Sequence, residues 1–278
     1  MRLATIRLAT GTAAVRVDEN TAVETGFGNI GDLLKQPDWH TVAAAADGAR
    51  HSVDGLDFAP AVPKPSKIIC VGLNYRSHIL EMGRELPQFP TLFAKYEDAL
   101  IGANDNIVLP SASNAVDWEA ELAVVVGAPV RHADRVTALD AIAGYSVLND
   151  ITARDWQYRT VEWLQGKNFE STTPMGPYLV TADAFDIGSA RIEGRVGDEI
   201  VQSAEISDLV FDPADLVSYI STIFTLRPGD VIATGTPGGV GHAREPKRYL
   251  NPGATLTTTI TGLGQCQNIC RSEFADAS

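Results

Sequence analysis

From residue 66 onward the chain breaks into short apolar runs bounded by turn-forming residues, the pattern of strands rather than of long helices. Residues 68–72, 106–109, 119–126, 142–148, 178–181 and 231–234 are runs of this kind, and 255–260 alternates strictly. Residues 191–202 alternate around Gly197-Asp198, which predicts a hairpin. Helix signals are few. One covers 75–82 and is stopped by Gly83; the other covers 213–224, with Asp212 placed to cap it and Pro213 to open its first turn. The preceding stretch has its own texture. Residues 3–7 and 13–17 are extended runs joined by Ala9-Thr-Gly-Thr12, Asn29 is placed to cap a short helix stopped by Pro37, and a second helix is expected over 41–46. Between the two textures lie Pro60, Pro63 and Pro65, a density that favours an extended linker. The pattern predicts an α+β protein: a small N-terminal domain over 1–62 and a β-rich domain with a curled mixed sheet over 63–278.

With 278 residues, 45% hydrophobic and 21% charged, the chain can bury one large core and a small accessory unit. Charge narrows the choice of partner. Lys and Arg number 22 against 35 Asp and Glu, a net of −13, which repels nucleic acid and anionic membrane. An anionic substrate then requires a locally positive site. Three cysteines, Cys70, Cys266 and Cys270, without metal-type spacing, argue for a reducing compartment. The first seven residues carry Arg2 and Arg7 and lead into no apolar signal region, and no apolar run is long enough to span a bilayer. A cytoplasmic location is the expectation.

Candidate chemistry gathers around carboxylates. At the strand period, Glu119 and Glu121 share a face with Ala123 and Val125. A solvated face is the ordinary reading of such a pair. Against it, residues 122–126 read as a strand buried on both sides, where two like charges need neutralising, and a divalent cation does that. Asp150 ends the next apolar run, a frequent ligand position, although a helix cap or turn residue is the ordinary reading of such a carboxylate. If the three converge, hard oxygen donors suit Mg²⁺, Mn²⁺ or Ca²⁺ better than Zn²⁺. His78 and Glu81 are spaced i, i+3, so a carboxylate can orient an imidazole as a general base, although the same spacing also makes surface ion pairs. Lys167 has nothing local to distinguish it from a solvated lysine. Gly235-Thr-Pro-Gly-Gly-Val-Gly241 offers backbone N–H groups but lacks the residues of a phosphate loop.

Taken in order, these segments resemble the fumarylacetoacetate hydrolase family. They are Val71-Gly-Leu-Asn-Tyr-Arg-Ser-His78 with Glu81, Leu92-Phe-Ala-Lys95, Asp117-Trp-Glu-Ala-Glu-Leu122, Leu148-Asn-Asp-Ile-Thr-Ala-Arg-Asp155 with Gln157, Gly166-Lys-Asn-Phe169, Pro228-Gly-Asp230, and Thr234-Gly-Thr-Pro237 with Gly239-Val-Gly241. The likeness spans nearly all of residues 66–265 and leans toward the bacterial acylpyruvate hydrolase and oxaloacetate decarboxylase-like members. It implies a rolled mixed sheet, a homodimer, and Mg²⁺ or Mn²⁺ held by Glu119, Glu121 and Asp150. It further implies a catalytic His78–Glu81 pair on a lid-like segment, a catalytic Lys167, and substrate contacts from Gln157, Thr236 and Lys95. Tyr96 stands where the family commonly has proline. The expected activity is metal-dependent C–C hydrolysis of a small anionic 2-oxo or β-diketo acid, with His78 activating water. An oxaloacetate-type decarboxylase or an isomerase on the same scaffold is the alternative. A non-catalytic metal-binding protein is the remote one.

Overall fold

The strand Ala120–Val126 is buried along its whole length, and the molecule is organised around it. A computed structural model describes residues 1–81 and 83–274, the Glu81 side chain excepted. Leu122, Val124 and Val126 face one apolar cluster with Val147, Ile220 and Ile232. Ala123 and Val125 face a second with Leu148, Leu179 and Val231. Branched side chains packed on both faces suit a central strand, where each fills the pleat against two layers.

Ile142–Asn149 pairs antiparallel with this strand on one side and Val231–Ala233 on the other. Beyond Val231–Ala233 come Ile68–Gly72, parallel to it, and then Thr91–Lys95 at the edge. Beyond Ile142–Asn149 come Thr173–Thr181 and the N-terminal strands Arg2–Leu8, Gly11–Asp18, Thr21–Glu24 and Arg50–Ser52. The N-terminal strands thus continue the central sheet, with Leu3 opposite Leu179. A second sheet, ordered Glu199–Glu205, Arg191–Val196, Thr255–Ile260, Gly264–Ser272 and Ile107–Leu109, packs on the first. Its Ile192, Ile260 and Cys266 share the cluster of Leu122 and Val124. The architecture is α+β, with a large mixed sheet and smaller N-terminal elements.

The local signals translate directly. Asn29 Oδ1 accepts from Asp32 N at 3.0 Å to start Ile30–Leu34. Asp212 and Asp215 form a reciprocal cap on Pro213–Ser221, which ends three residues before the expected 224 because its last turn tightens, Ile223 N bonding to Ile220 O at 3.0 Å. The second N-terminal helix runs Trp39–Ala44, and the next is Arg76–Glu81. Gly197 adopts φ +59, the left-handed conformation that the hairpin turn needs. Gly264–Ser272 is a strand that hydropathy does not reveal: its buried positions are Cys266, Asn268 and Cys270. Among the described residues no helix is long and apolar enough to cross a membrane.

Candidate functional site

The site forms where two neighbouring strands of the central sheet meet their loops. Glu119 lies one residue before Ala120–Val126, Glu121 lies within it opposite Leu148, and Asp150 follows Ile142–Asn149. The junction is tied twice: Asp150 N donates to Glu119 O at 2.8 Å, and Glu119 N donates to Asn149 Oδ1 at 2.8 Å. Each of the three carboxylates offers an oxygen within 4.8 Å of the others. Glu119 is 7% exposed, Glu121 1% and Asp150 0%, so the solvated-face reading falls, and the Asp150 carboxylate meets lysines rather than capping a helix.

Three buried cations balance this cluster. Lys167, from the short helix Leu164–Lys167, places Nζ 2.6 Å from Glu119 Oε2 and 2.7 Å from Asp150 Oδ2. Lys95 Nζ lies 2.9 Å from Asp150 Oδ1 and donates to Thr173 Oγ1 at 2.7 Å. The Lys95–Asp150 contact lacks hydrogen-bond alignment, so Asp150 Oδ1 is buried without a donor. Arg154 donates from Nε to Asp117 Oδ2 at 2.8 Å and from Nη1 to Gln157 Oε1 at 2.9 Å, with Nη1 also 2.7 Å from Glu119 Oε1. Its Nη2 is buried without a partner. Asp117 in turn accepts from the N–H groups of Gly241 and His242 at 2.7 and 2.9 Å.

The charges respond to this packing. Burial opposes the charge on Lys167, but Asp150 and Glu119 more than offset it and hold the ammonium above its ordinary range. Burial likewise works to raise the Asp150 carboxyl, and Lys167 and Lys95 pull it below its usual value. Glu121 is different. Burial first, then Asp150 and Glu119, push its carboxyl well up, and the hydrogen bond it receives from Gly235 N at 2.8 Å does not compensate. Four carboxylates, counting Asp117, against three cations leave the cluster formally at −1. An all-oxygen donor set, an undonated Asp150 oxygen and a poorly compensated Glu121 fit a hard divalent cation. Such an ion would bring the cluster to +1, a positive site in an acidic protein.

A pocket of about 360 Å³ opens onto Glu119, Glu121 and Lys167. His78, Gln157 and Thr236 line it, so the fold brings these expected residues to one place. Thr236 is held by donating to Ala120 O at 2.9 Å and accepting from Gln202 Nε2 at 2.8 Å. Glu81 belongs to the same helix as His78, but its side chain lies outside the described residues. Lys95, expected against substrate, is instead fully buried and absent from the pocket lining, because its stem runs from an edge strand to Asp150. Arg154 and His242 also line the pocket and were not anticipated. Arg154 lies four residues after Asp150 within a motif already singled out. For His242, in the 3-10 turn Gly241–Ala243, no pattern in the chain points to chemistry.

An α+β fold with a buried carboxylate trio, counter-charged by lysines beside a pocket, defines the class: a protein whose donor set could hold a hard divalent cation. The chain belongs to the fumarylacetoacetate hydrolase family: the family model for the C-terminal domain of fumarylacetoacetate (FAA) hydrolase matches residues 67–271. Oxaloacetate tautomerase Fahd2a, mitochondrial, of Rattus norvegicus is 42% identical over 75% of this chain and 67% of that protein. Among solved structures, 5-carboxymethyl-2-hydroxymuconate delta-isomerase from Mycobacterium smegmatis has a TM-score of 0.83 at 31% identity, covering 98% of this chain and 99% of that one. Maleylpyruvate hydrolase from Sphingobium sp. SYK-6, in complex with manganese(II) and pyruvate, gives 0.81 at 28% identity, covering 98% and 99%. The mitochondrial relatives overturn the expected cytoplasmic location. Sparse cysteines do not separate one reducing compartment from another.

Proposed function

We propose that this protein is a metal-dependent tautomerase of a small 2-oxo acid of the oxaloacetate type, and that isomerisation replaces C–C hydrolysis as its reaction. The observation that carries the reading is the convergence of His78, Lys167, Glu119 and Glu121 on one pocket, with Asp150 grouped with the two glutamates behind its wall. The 42% identity to a protein named as an oxaloacetate tautomerase favours isomerisation over hydrolysis. When bound at Glu119, Glu121 and Asp150, Mg²⁺ or Mn²⁺ supplies Lewis acidity toward the 2-oxo group.

The chain's own residues do the rest. In the keto-to-enol direction His78 takes a proton from C3 and a proton is returned to the C2 oxygen, so one proton moves and no carbon–carbon bond breaks. Glu81, three residues on in the same helix, is the partner assigned to His78. Lys167 stays charged and answers the negative charge that develops on the substrate. Gln157, Thr236 and the unpartnered Nη2 of Arg154 orient the anion, while Lys95 acts from behind by holding Asp150. The functional unit is a homodimer.

The test follows the ultraviolet absorbance of enol-oxaloacetate as it ketonises, with Mg²⁺ and with EDTA. Metal-dependent acceleration is expected, and His78→Ala should lower kcat by roughly 10²–10⁴-fold while KM stays near its original value. Cleavage of an acylpyruvate or fumarylacetoacetate, or CO₂ release from oxaloacetate, without accelerated ketonisation would overturn the assignment in favour of hydrolysis or decarboxylation.

A further inference from the structure

At the rim of the pocket His242 stands in a polar cluster that the proposed reaction does not use. Its Nδ1 is 2.9 Å from Tyr249 Oη, its Nε2 is 3.4 Å from Lys247 Nζ, and the Tyr158 ring lies 5.2 Å away, centroid to centroid. An ammonium only donates, so Nε2 is the accepting nitrogen and Nδ1–H is the donor to Tyr249. The imidazole is held in one tautomer with a cation at its outer nitrogen.

The main chain beneath is rigid. Asp117 takes the N–H groups of both Gly241 and His242, and it also binds Arg154. A side chain at Gly241 would meet Arg248 O at 1.9 Å, so the turn closes tightly against the next segment. One buried carboxylate therefore ties the rim residue to the inner end of the pocket.

Lys247 is the unusual member. Acids outnumber cations 35 to 22 in this chain, and the neighbouring Arg244 and Arg248 both pair with Glu199. Among the described residues Lys247 has no carboxylate within ion-pair reach; its contact is the imidazole that lines the pocket. Lys247 stands outside the pocket lining, which includes Arg84, and meets it through His242. An exposed cation without a carboxylate there, at the rim of a pocket whose far end suits a metal-bound anion, is within one side chain's swing of a second anionic group.

We propose that Lys247 and His242 form the distal subsite of this pocket, receiving the carboxylate at the far end of a dicarboxylic 2-oxo acid. Lys247 supplies the charge, and His242, stacked beside Tyr158, supplies the wall that sets its position. The inference rests on the tautomerase reading for its substrate class but not for its binding chemistry.

The experiment uses the Mg²⁺-loaded full chain with enol-oxaloacetate and with its C4 monomethyl ester, in wild type, Lys247→Gln, Lys247→Arg and His242→Phe. Lys247 is exposed, so its variants should fold. In Lys247→Gln, KM for the diacid should rise about tenfold, the scale of one lost charge-assisted hydrogen bond. Its kcat should move less, KM for the ester should stay put, and Lys247→Arg should restore the diacid preference. His242→Phe should shift the same ratio in the same direction. An unchanged ratio of diacid to ester KM in Lys247→Gln overturns the subsite. Should the wild type turn over neither compound, calorimetry separates the two proposals. Tighter binding of oxaloacetate than of the ester, lost in Lys247→Gln, upholds the subsite while the tautomerase reading fails; equal binding of both by wild type overturns the subsite as well.

Discussion

Among single residues Glu121 and Lys167 have opposite problems. Glu121 is a fully buried carboxylate near two others, and a backbone N–H is all that answers it directly. Glu121→Gln keeps that hydrogen bond through its amide oxygen, so the protein should stay folded. Removing a partner from outside a ligand shell already costs about 10–100-fold in metal affinity, so loss of a direct ligand should cost at least as much. Calorimetric titration with Mn²⁺ checks this, and wild-type affinity in the variant would remove Glu121 from the site. Lys167 is the cation shared by Glu119 and Asp150. Lys167→Met leaves both carboxylates buried with one ammonium fewer, and breaking a buried pair from one side costs about 3–5 kcal/mol. The urea midpoint of the metal-free variant should fall accordingly. An unchanged midpoint would mean that Lys95 and Arg154 suffice to hold the cluster.

Elements place these residues, and their ends are where the placement is made. The helix Pro213–Ser221 buries Leu216, Val217 and Ile220 against the central sheet, and its start depends on Asp212. Asp212 accepts from Asp215 N at 3.0 Å and pairs with Arg135, which also reaches Asp215. Asp212→Ala should cost about 1 kcal/mol, the ordinary worth of such a cap, read as a lower urea midpoint. The cap also carries a pH signature. Partial burial works to raise the Asp212 carboxyl, but the Arg135 guanidinium and the helix N–H groups outweigh it and hold the carboxyl below its usual range. A carboxyl lowered by folding stabilises the native state above its unfolded pKa of about 3.9 and loses that contribution as pH falls through the folded value. The acid limb of the stability curve should therefore be shallower in Asp212→Asn than in wild type. Parallel curves below pH 4 would show that the pairing is lost in solution.

For the molecule as a whole the N-terminal strands matter more than their distance from the site suggests. Arg2–Leu8 covers the edge of Thr173–Thr181, and Leu3, Ile30, Leu33 and Leu34 share a cluster with Ala123 and Val125 of the strand that carries Glu121. Deleting residues 1–62 would expose that sheet edge and one face of the central strand, a combination that promotes edge-to-edge association. The truncated chain should lose cooperative thermal unfolding and elute as species larger than a dimer on gel filtration. A cooperatively melting fragment over 63–278 that elutes no larger than a dimer would show that the N-terminal strands are an accessory unit.

The chain by itself determined the elements and the short list of chemical residues. Period-two runs specify strands, Asn29 and Asp212 specify helix starts, and the buried run after Glu121 already marks the pair of glutamates as more than a surface stripe, because these are signals that neighbours in sequence carry. Asp150, His78 and Lys167 were legible as site residues only through the order of their motifs, since no local pattern distinguishes a buried lysine from a solvated one. What the tertiary structure decided is who stands beside whom. It set Lys95 against Asp150 and outside the pocket lining, brought Arg154 to Glu119, and carried His242 to the pocket, with Lys247 against its imidazole, from a loop without periodicity. The strand Gly264–Ser272 escaped notice for a related reason, its buried face being two cysteines and an asparagine whose burial depends on the sheet around them. Burial and pairing arise between segments far apart in the chain, and only folding brings those segments into contact.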